Sequence, residues 1–270
     1  MAQPAASDVH VDAPLTNISV AYVQKDTNFV ATKVFPVVPV DKQSDKYFSY
    51  TKNDWFRDEA QRQGDTDESA GSGYGVSTGN YSADQWALHK DIGKQTRLNS
   101  DAPINPERDA TLFLTQRMLL RQEIQWVTDY FAASVWGTDL TPTNLWSNYA
   151  TSDPITEIET AKQTILSNTG FLPNTMVVGY TVWRQLKHHP DLVDRFKYTS
   201  ADGLTTAMVA RLFELDRVLV AMAVKATNVE GETAAYAFTH GKHALVCYTA
   251  PNPGILVPTA GYIFMWRGIS

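Results

Sequence analysis

An α+β fold is predicted for this chain, and three observations carry the expectation. The run Phe35-Pro36-Val37-Val38-Pro39-Val40 sets apolar residues around two prolines, which lack a backbone donor and exclude a helix. Asn105-Pro106-Glu107 opens a long helix with a broad apolar face. After Asp153, helical segments alternate with short apolar strands, the pattern of a mixed helix–strand unit.

In chain order, the first forty residues read as an extended arm. An apolar arm of this kind lies along something, either as an edge strand of its own molecule or across a neighbour. Tyr47-Phe48-Ser49-Tyr50-Thr51 is aromatic and strand-like and leads to Trp55-Phe56-Arg57-Asp58-Glu59-Ala60. Residues 64–80 are rich in Gly, Ser and Asp and lack the apolar surface of a packed element. Residues 83–98 again look strand-like, with Trp86, Leu88 and Ile92 evenly placed. Two strands flanking a polar tip describe a long hairpin, which needs a partner surface because isolated hairpins are marginal in water.

The long helix is expected from Asn105, a good N-cap, through Pro106 at the first turn, with Glu107 and Asp109 at the positive end of the dipole. Its apolar face (Leu112, Phe113, Met118, Leu119, Trp126, Val127, Tyr130, Phe131) continues to about Trp136, a length of roughly 45 Å. A second helix is capped by Asp153-Pro154 and closed by Gly170. Residues 175–179 read as a buried strand, 181–188 and 203–213 as helices, and 218–220 as a strand. Residues 234–239 and 244–249 read as a hairpin around Gly241. Ile255-Leu256-Val257 and Tyr262-Ile263-Phe264-Met265-Trp266 read as a C-terminal strand returning toward the long helix.

The 270 residues suffice for one large domain or two modest ones. Charged residues are 19% of the chain, somewhat below the usual ~25%. The net charge is −6 and no segment is strongly basic, which argues against a dedicated nucleic-acid reader. The single cysteine, Cys247, excludes an internal disulfide and a cysteine-rich metal site. Residues 1–10 lack the pattern of a secretory signal, so the Asn17-Ile18-Ser19 sequon carries little weight and synthesis in a reducing cytoplasm is expected. No apolar run of about 18 residues occurs, so no membrane span is expected.

Catalytic signatures are missing: no Walker loop, no dinucleotide fingerprint, no H-E-x-x-H and no nucleophile elbow. Gly71-Ser72-Gly73-Tyr74-Gly75 precedes no helix, so its amides lack the dipole of a phosphate loop. His188-His189 is expected to cap a helix C-terminus. His240 and His243 bracket a turn and are too few for a metal site. Cys247 is expected to be a buried, inert thiol, and Asp65, Asp67 and Glu68 a solvated loop tip. Trp55 and Trp86 suit either a carbohydrate platform or a facing pair across the hairpin. No enzyme, cofactor or metal is expected.

Four stretches resemble the major capsid proteins of tailed bacteriophages, the coat proteins sharing the HK97 fold. They are FVATKVFPVVPVDKQSDKYFSY (29–50) followed by WFRDEA, PNTMVVGYTVWRQLKHHPDLVDRFKY (173–198), MVARLFELDRVLV (208–220) and GYIFMWRG (261–268). These are packing patterns, and their shared order is what makes the likeness specific. The resemblance implies an HK97-like capsid fold with an N-terminal arm (1–45), an E-loop hairpin (46–98) and a peripheral domain with its spine helix (99–150). It further implies an axial domain (151–254) and a C-terminal strand returning to the peripheral domain (255–270).

The function implied is self-assembly into hexamers and pentamers of an icosahedral virion shell, built in the host bacterial cytoplasm. The shell encloses double-stranded DNA without sequence-specific binding. Implied partners are a portal, a separate scaffolding protein in place of a cleaved N-terminal segment, and in some relatives a decoration protein; no membrane is involved. Trp55, Arg57, Asp58, Glu59 and Trp86 are the inter-subunit contact candidates. Lys46, Lys52 and Lys90 lie in the hairpin, with nothing to select one for crosslinking. An encapsulin-like compartment shell and a carbohydrate-binding or tail-associated phage protein are the alternatives.

Overall fold

The computed structural model describes residues 23–100, 104–142, 144–197 and 203–269; the sequon, residues 1–22 of the arm and Tyr198 lie outside these residues. The chain divides into two compact units. One takes residues up to 36 together with 87–261, and the other takes 37–86 together with 262–270.

The larger unit begins with a short segment and a one-turn helix, α1 (Ala31–Val34). In the smaller unit, β1 (Val37–Val40) pairs in parallel with the C-terminal strand β9 (Ile263–Trp266), while β2 (Ser44–Tyr50) pairs antiparallel with β3 (Val76–Ser82); a one-turn helix, α2 (Lys52–Trp55), follows β2. The returning hairpin strand is therefore Val76–Ser82, inside the stretch read as a polar tip, and residues 83–93 form no strand. Apolar alternation does not mark β3 because the ribbon has no buried face that would impose it. The evenly spaced Trp86, Leu88 and Ile92 precede another short helix, α3 (Lys94–Leu98).

Helix α4 (Pro106–Tyr130) has 25 residues, about 37 Å at 1.5 Å per residue. The Asn105 side chain accepts from the amides of Glu107 (3.2 Å) and Arg108 (3.1 Å), as its N-cap identity predicts. The helix stops six residues short of Trp136, because the Trp136 indole N–H folds back and donates to the free Tyr130 carbonyl (2.7 Å). Helix α5 (Pro154–Thr169) is capped by Asp153, which accepts from the amides of Ile155 (3.1 Å) and Thr156 (3.0 Å), and is closed by Gly170 at φ 76°. A hydrogen bond from the Thr156 hydroxyl, followed by these amide bonds, holds the Asp153 carboxyl below its ordinary pKa.

The centre of the larger unit is β4 (Thr175–Gly179), buried along its whole length. It is flanked in parallel by β5 (Arg217–Ala221) and antiparallel by β8 (Ala244–Cys247). Between β4 and β5 the chain forms α6 (Tyr180–Lys187), α7 (Pro190–Phe196) and α8 (Thr206–Leu212), which deliver Trp183, Leu186, Leu192, Val209 and Phe213 to one core with Met176, Val178 and Val218. The expected hairpin around Gly241 is not formed. Tyr236–Phe238 (β7) pairs with Val224–Ala226 (β6), and Ala244–Cys247 pairs with β4. Leu245 and Cys247 are buried against the central strand, whereas Tyr236 and Phe238 are exposed, so the two segments cannot share one environment.

His189 also departs from expectation. Pro190 starts a new helix and holds its predecessor extended, so His189 caps the N-terminus of α7 rather than the end of α6. Its Nδ1 accepts from the Asp191 amide (3.3 Å), leaving the proton on Nε2, which donates to Ser152 Oγ (2.9 Å).

Close packing at the β4 end gives a first prediction. A Cβ on Gly179 would stand 2.6 Å from the carbonyl oxygen of Gly241, whose φ is +57°. Backbone on both sides cannot yield cheaply, so Gly179→Ala is expected to lose about 1–3 kcal/mol of stability. Chemical denaturation reads this directly, and an unchanged midpoint contradicts it.

Candidate assembly surfaces

The β2–β3 ribbon of the smaller unit is exposed along all of β2 and much of β3. It runs in unbroken register from Ser44 opposite Ser82 to Tyr50 opposite Val76. One end is seated on the C-terminal strand, where Tyr81 stacks on Phe264 (centroids 4.5 Å apart) and Tyr47 at 5.9 Å. Gly79 lets the Tyr47 ring lie across the strand, because a Cβ there would displace that ring. At the other end Tyr50, Trp55 and Tyr74 pack mutually at 5.9–6.2 Å. Phe48, Trp55, Phe56 and Tyr74 are all more than half exposed, an apolar surface that exceeds isolated surface residues.

The sequence candidates fall on this unit. Trp55 belongs to the aromatic trio with Tyr50 and Tyr74, so its ring partners differ from the facing Trp86 expected across the hairpin. Trp86 is half exposed, beyond the end of β3. Arg57 is drawn to two carboxylates of its own chain, Asp54 (3.7 Å) and Glu59 (3.5 Å), while Asp58 is exposed. Asp54 also accepts from the Gly75 amide (2.8 Å), so the base of the tip is pinned by one acidic side chain. Lys46 is exposed, Lys52 lies over Phe56, and in the larger unit Lys90 lies over Phe113.

In the larger unit, residues 24–35 form an anchored segment. The Gln24 amide exchanges two hydrogen bonds with the Val224 backbone (2.8 and 2.9 Å), and its carbonyl accepts from Gln116 of α4 (2.9 Å). Phe29, Val30, Ala31, Val34 and Phe35 are buried. Phe35 packs against Trp126, Tyr130 and Trp136 at 5.1–6.4 Å. Arg217 ties the Val34 carbonyl (3.0 Å) to Thr175 and Thr249 of the central sheet.

The polar centre of this anchor is Glu123, fully buried on α4. Its carboxylate accepts from the amides of Val30 (3.0 and 3.2 Å) and Ala31 (2.9 Å). His240 Nδ1 lies 3.5 Å from Glu123 Oε1 and 3.1 Å from Thr239 Oγ1. Burial pushes the Glu123 carboxyl up, against the pull of the two amides and Lys33. Burial, with a smaller push from His243, takes His240 down to about 4. Sequence reading missed Glu123, though a signal existed: Leu119, Glu123, Trp126 and Tyr130 follow helical spacing, placing a carboxylate inside an apolar stripe.

Cys247 is buried in β8 and its thiol is pushed up to about 12 by burial, which removes thiolate reactivity. Among the described residues, no group of three or more His, Cys, Asp or Glu side chains is arranged to hold a metal ion, and no helix is long and apolar enough to cross a membrane.

No family model matches the chain. It is 27% identical over 224 residues to the major capsid protein of Burkholderia phage BcepMu, covering 81% of this chain and 71% of that protein. It is 25% identical over 244 residues to the major capsid protein of Pseudomonas phage JBD67, covering 88% and 77%. Among solved structures, a phage-related protein from Bordetella bronchiseptica RB50 superposes with a TM-score of 0.67 at 24% identity, covering 91% of this chain and 80% of that one. The capsid structure of cyanophage P-SCSP1u superposes at 0.55 with 8% identity, covering 92% and 80%. The fold is therefore the HK97-like α+β fold of phage capsids. The chain is a homologue of phage major capsid proteins, which are structural proteins of the virion.

Proposed function

We propose that this chain is the repeating subunit of a phage capsid, assembling through hexamers and pentamers into an icosahedral shell around double-stranded DNA. The observation that carries the reading is the β2–β3 ribbon, whose β2 strand is exposed throughout and which bears a cluster of exposed aromatic side chains. Two-stranded ribbons are marginal alone, and a neighbouring copy supplies the missing burial.

In this reading residues 1–45 act as the arm, 46–98 as the E-loop and 99–150 as the peripheral domain with its spine. Residues 151–254 act as the axial domain and 255–270 as the C-terminal strand. Copies meet head to tail around a closed ring. Each contact is modest, but bonds become effectively intramolecular once neighbours are in place. The role is structural rather than catalytic. A portal and a separate scaffolding protein, and possible decoration proteins, are the proposed partners, with assembly in the host cytoplasm. The net charge of −6 suits a surface that encloses DNA without gripping it.

Size-exclusion chromatography and negative-stain microscopy of the expressed chain test this, with scaffold and portal co-expressed. Shells, tubes or ring-shaped capsomers are expected. A chain that stays monomeric with both partners present refutes the proposal. Arg57→Glu sets three acidic side chains together at positions 54, 57 and 59 and is expected to lower shell yield several-fold with the monomer still folded. Unchanged yield removes Arg57 from the interface.

A further inference from the structure

We infer that the Glu123–His240 pair makes the docking of residues 29–35 proton-linked, so that this anchor loosens as the pH falls below neutrality. The inference stands on the larger unit alone and does not depend on the capsid reading.

The geometry fixes the resting state of the ring. Thr239 Oγ1 donates to the Ala223 carbonyl (3.2 Å), so it accepts from His240, placing the ring proton on Nδ1. Nδ1–H then points between Thr239 and Glu123, and Nε2 is a bare lone pair. That Nε2 atom is buried with no hydrogen-bond partner, and so is the neighbouring indole donor, Trp126 Nε1. The two rings lie 5.4 Å apart, with Phe131 5.6 Å from the imidazole on another side. Protonating His240 would place a second N–H in an apolar box that already holds an unsatisfied donor. A buried donor without an acceptor is costly, and a charged one more so. The charged ring is accommodated only if the box opens.

The box is closed by the anchor, because Glu123, the carboxylate beside His240, is capped by the Val30 and Ala31 amides. The charged or titratable groups facing the ring are Glu123 from α4, Lys33 from α1 through its field on Glu123, and His243 from the same turn.

The direction follows from the shifts. His240 is lowered to about 4, so its contribution to the closed state is complete above its ordinary value near 6.5 and is lost as the pH falls toward 4. Glu123 is raised and acts in the opposite sense, since its protonation on acidification relieves a buried charge. Its charged form is stabilised by three amide contacts, whereas the charged imidazole has nothing at Nε2 to receive its proton. His240 therefore sets the sign.

Hydrogen exchange read by mass spectrometry on the peptide spanning 29–35 tests this on the full chain. After correction for the chemical exchange rate, protection is expected to fall between pH 7 and pH 5, by at most about 20-fold, the His240 contribution from which Glu123 subtracts. His240→Phe, which fills the same box without titrating, is expected to abolish the fall, leaving protection level or rising as Glu123 alone takes up a proton. A flat wild-type profile overturns the inference, and so does an equally steep fall in His240→Phe. If that variant does not fold, Glu123→Gln decides: it removes the opposing group but keeps the imidazole, so an undiminished fall supports the inference and a flat profile overturns it.

Discussion

Replacing residues 44–82 by a short Gly-Ser turn is expected to abolish shell formation while the larger unit still folds. The buried core cluster of that unit is built from its own residues between 158 and 218. The thermal midpoint of the deleted chain should therefore stay within a few degrees of the parent. In the proposed assembly the deletion removes the contact surface of Phe48, Trp55, Phe56 and Tyr74, aromatic side chains of the kind that dominate interface energies at about 2 kcal/mol or more each. Repeated around every ring, such a loss leaves no stable lattice. Analytical ultracentrifugation separates the outcomes. Closed shells from the deleted chain would remove the ribbon from the assembly mechanism.

The second large effect is expected at Glu123. Glu123→Ala leaves the Val30 and Ala31 amides without acceptors in a site closed to solvent, and adds a cavity beside His240. Together these cost about 3 kcal/mol. Glu123→Gln keeps one acceptor oxygen and should recover part of the loss. Chemical denaturation gives the magnitude, and limited proteolysis should show cleavage appearing within residues 23–36. A loss below about 1 kcal/mol would mean that the apolar contacts of Phe29, Val34 and Phe35 hold the anchor unaided.

What was legible in the sequence was local. Asn105-Pro106 and Asp153-Pro154 announce α4 and α5 because capping is decided within three or four residues, and the Thr175–Gly179 strand shows as a continuous apolar run because it is buried on both faces. What was missed depends on partners far along the chain. Ala244–Cys247 looks like half of a hairpin until β4, some seventy residues earlier, claims it. Strand β3 carries no apolar period because its stabilisation comes from β2 and Phe264. Of the surface candidates, Arg57 and Glu59 proved to be neighbours, a pairing their spacing permitted. The Glu123–His240 contact joins residues with no local pattern in common, and only the charge within the α4 stripe pointed toward it.

The parallel pairing of β1 with β9 has a consequence for synthesis. The smaller unit is discontinuous in the chain: Val37 lies opposite Ile263, and the ribbon end is seated on Phe264. Until residues 263–266 have left the ribosome, β1 has no partner and Tyr47 and Tyr81 have no ring to stack on. The larger unit, complete by residue 261, can form first. In a nascent chain the ribbon is thus made some two hundred residues before the strand that seats it, and the smaller unit closes only once residues 263–266 have emerged. The order in which the polypeptide is made therefore sets the order in which the two units close.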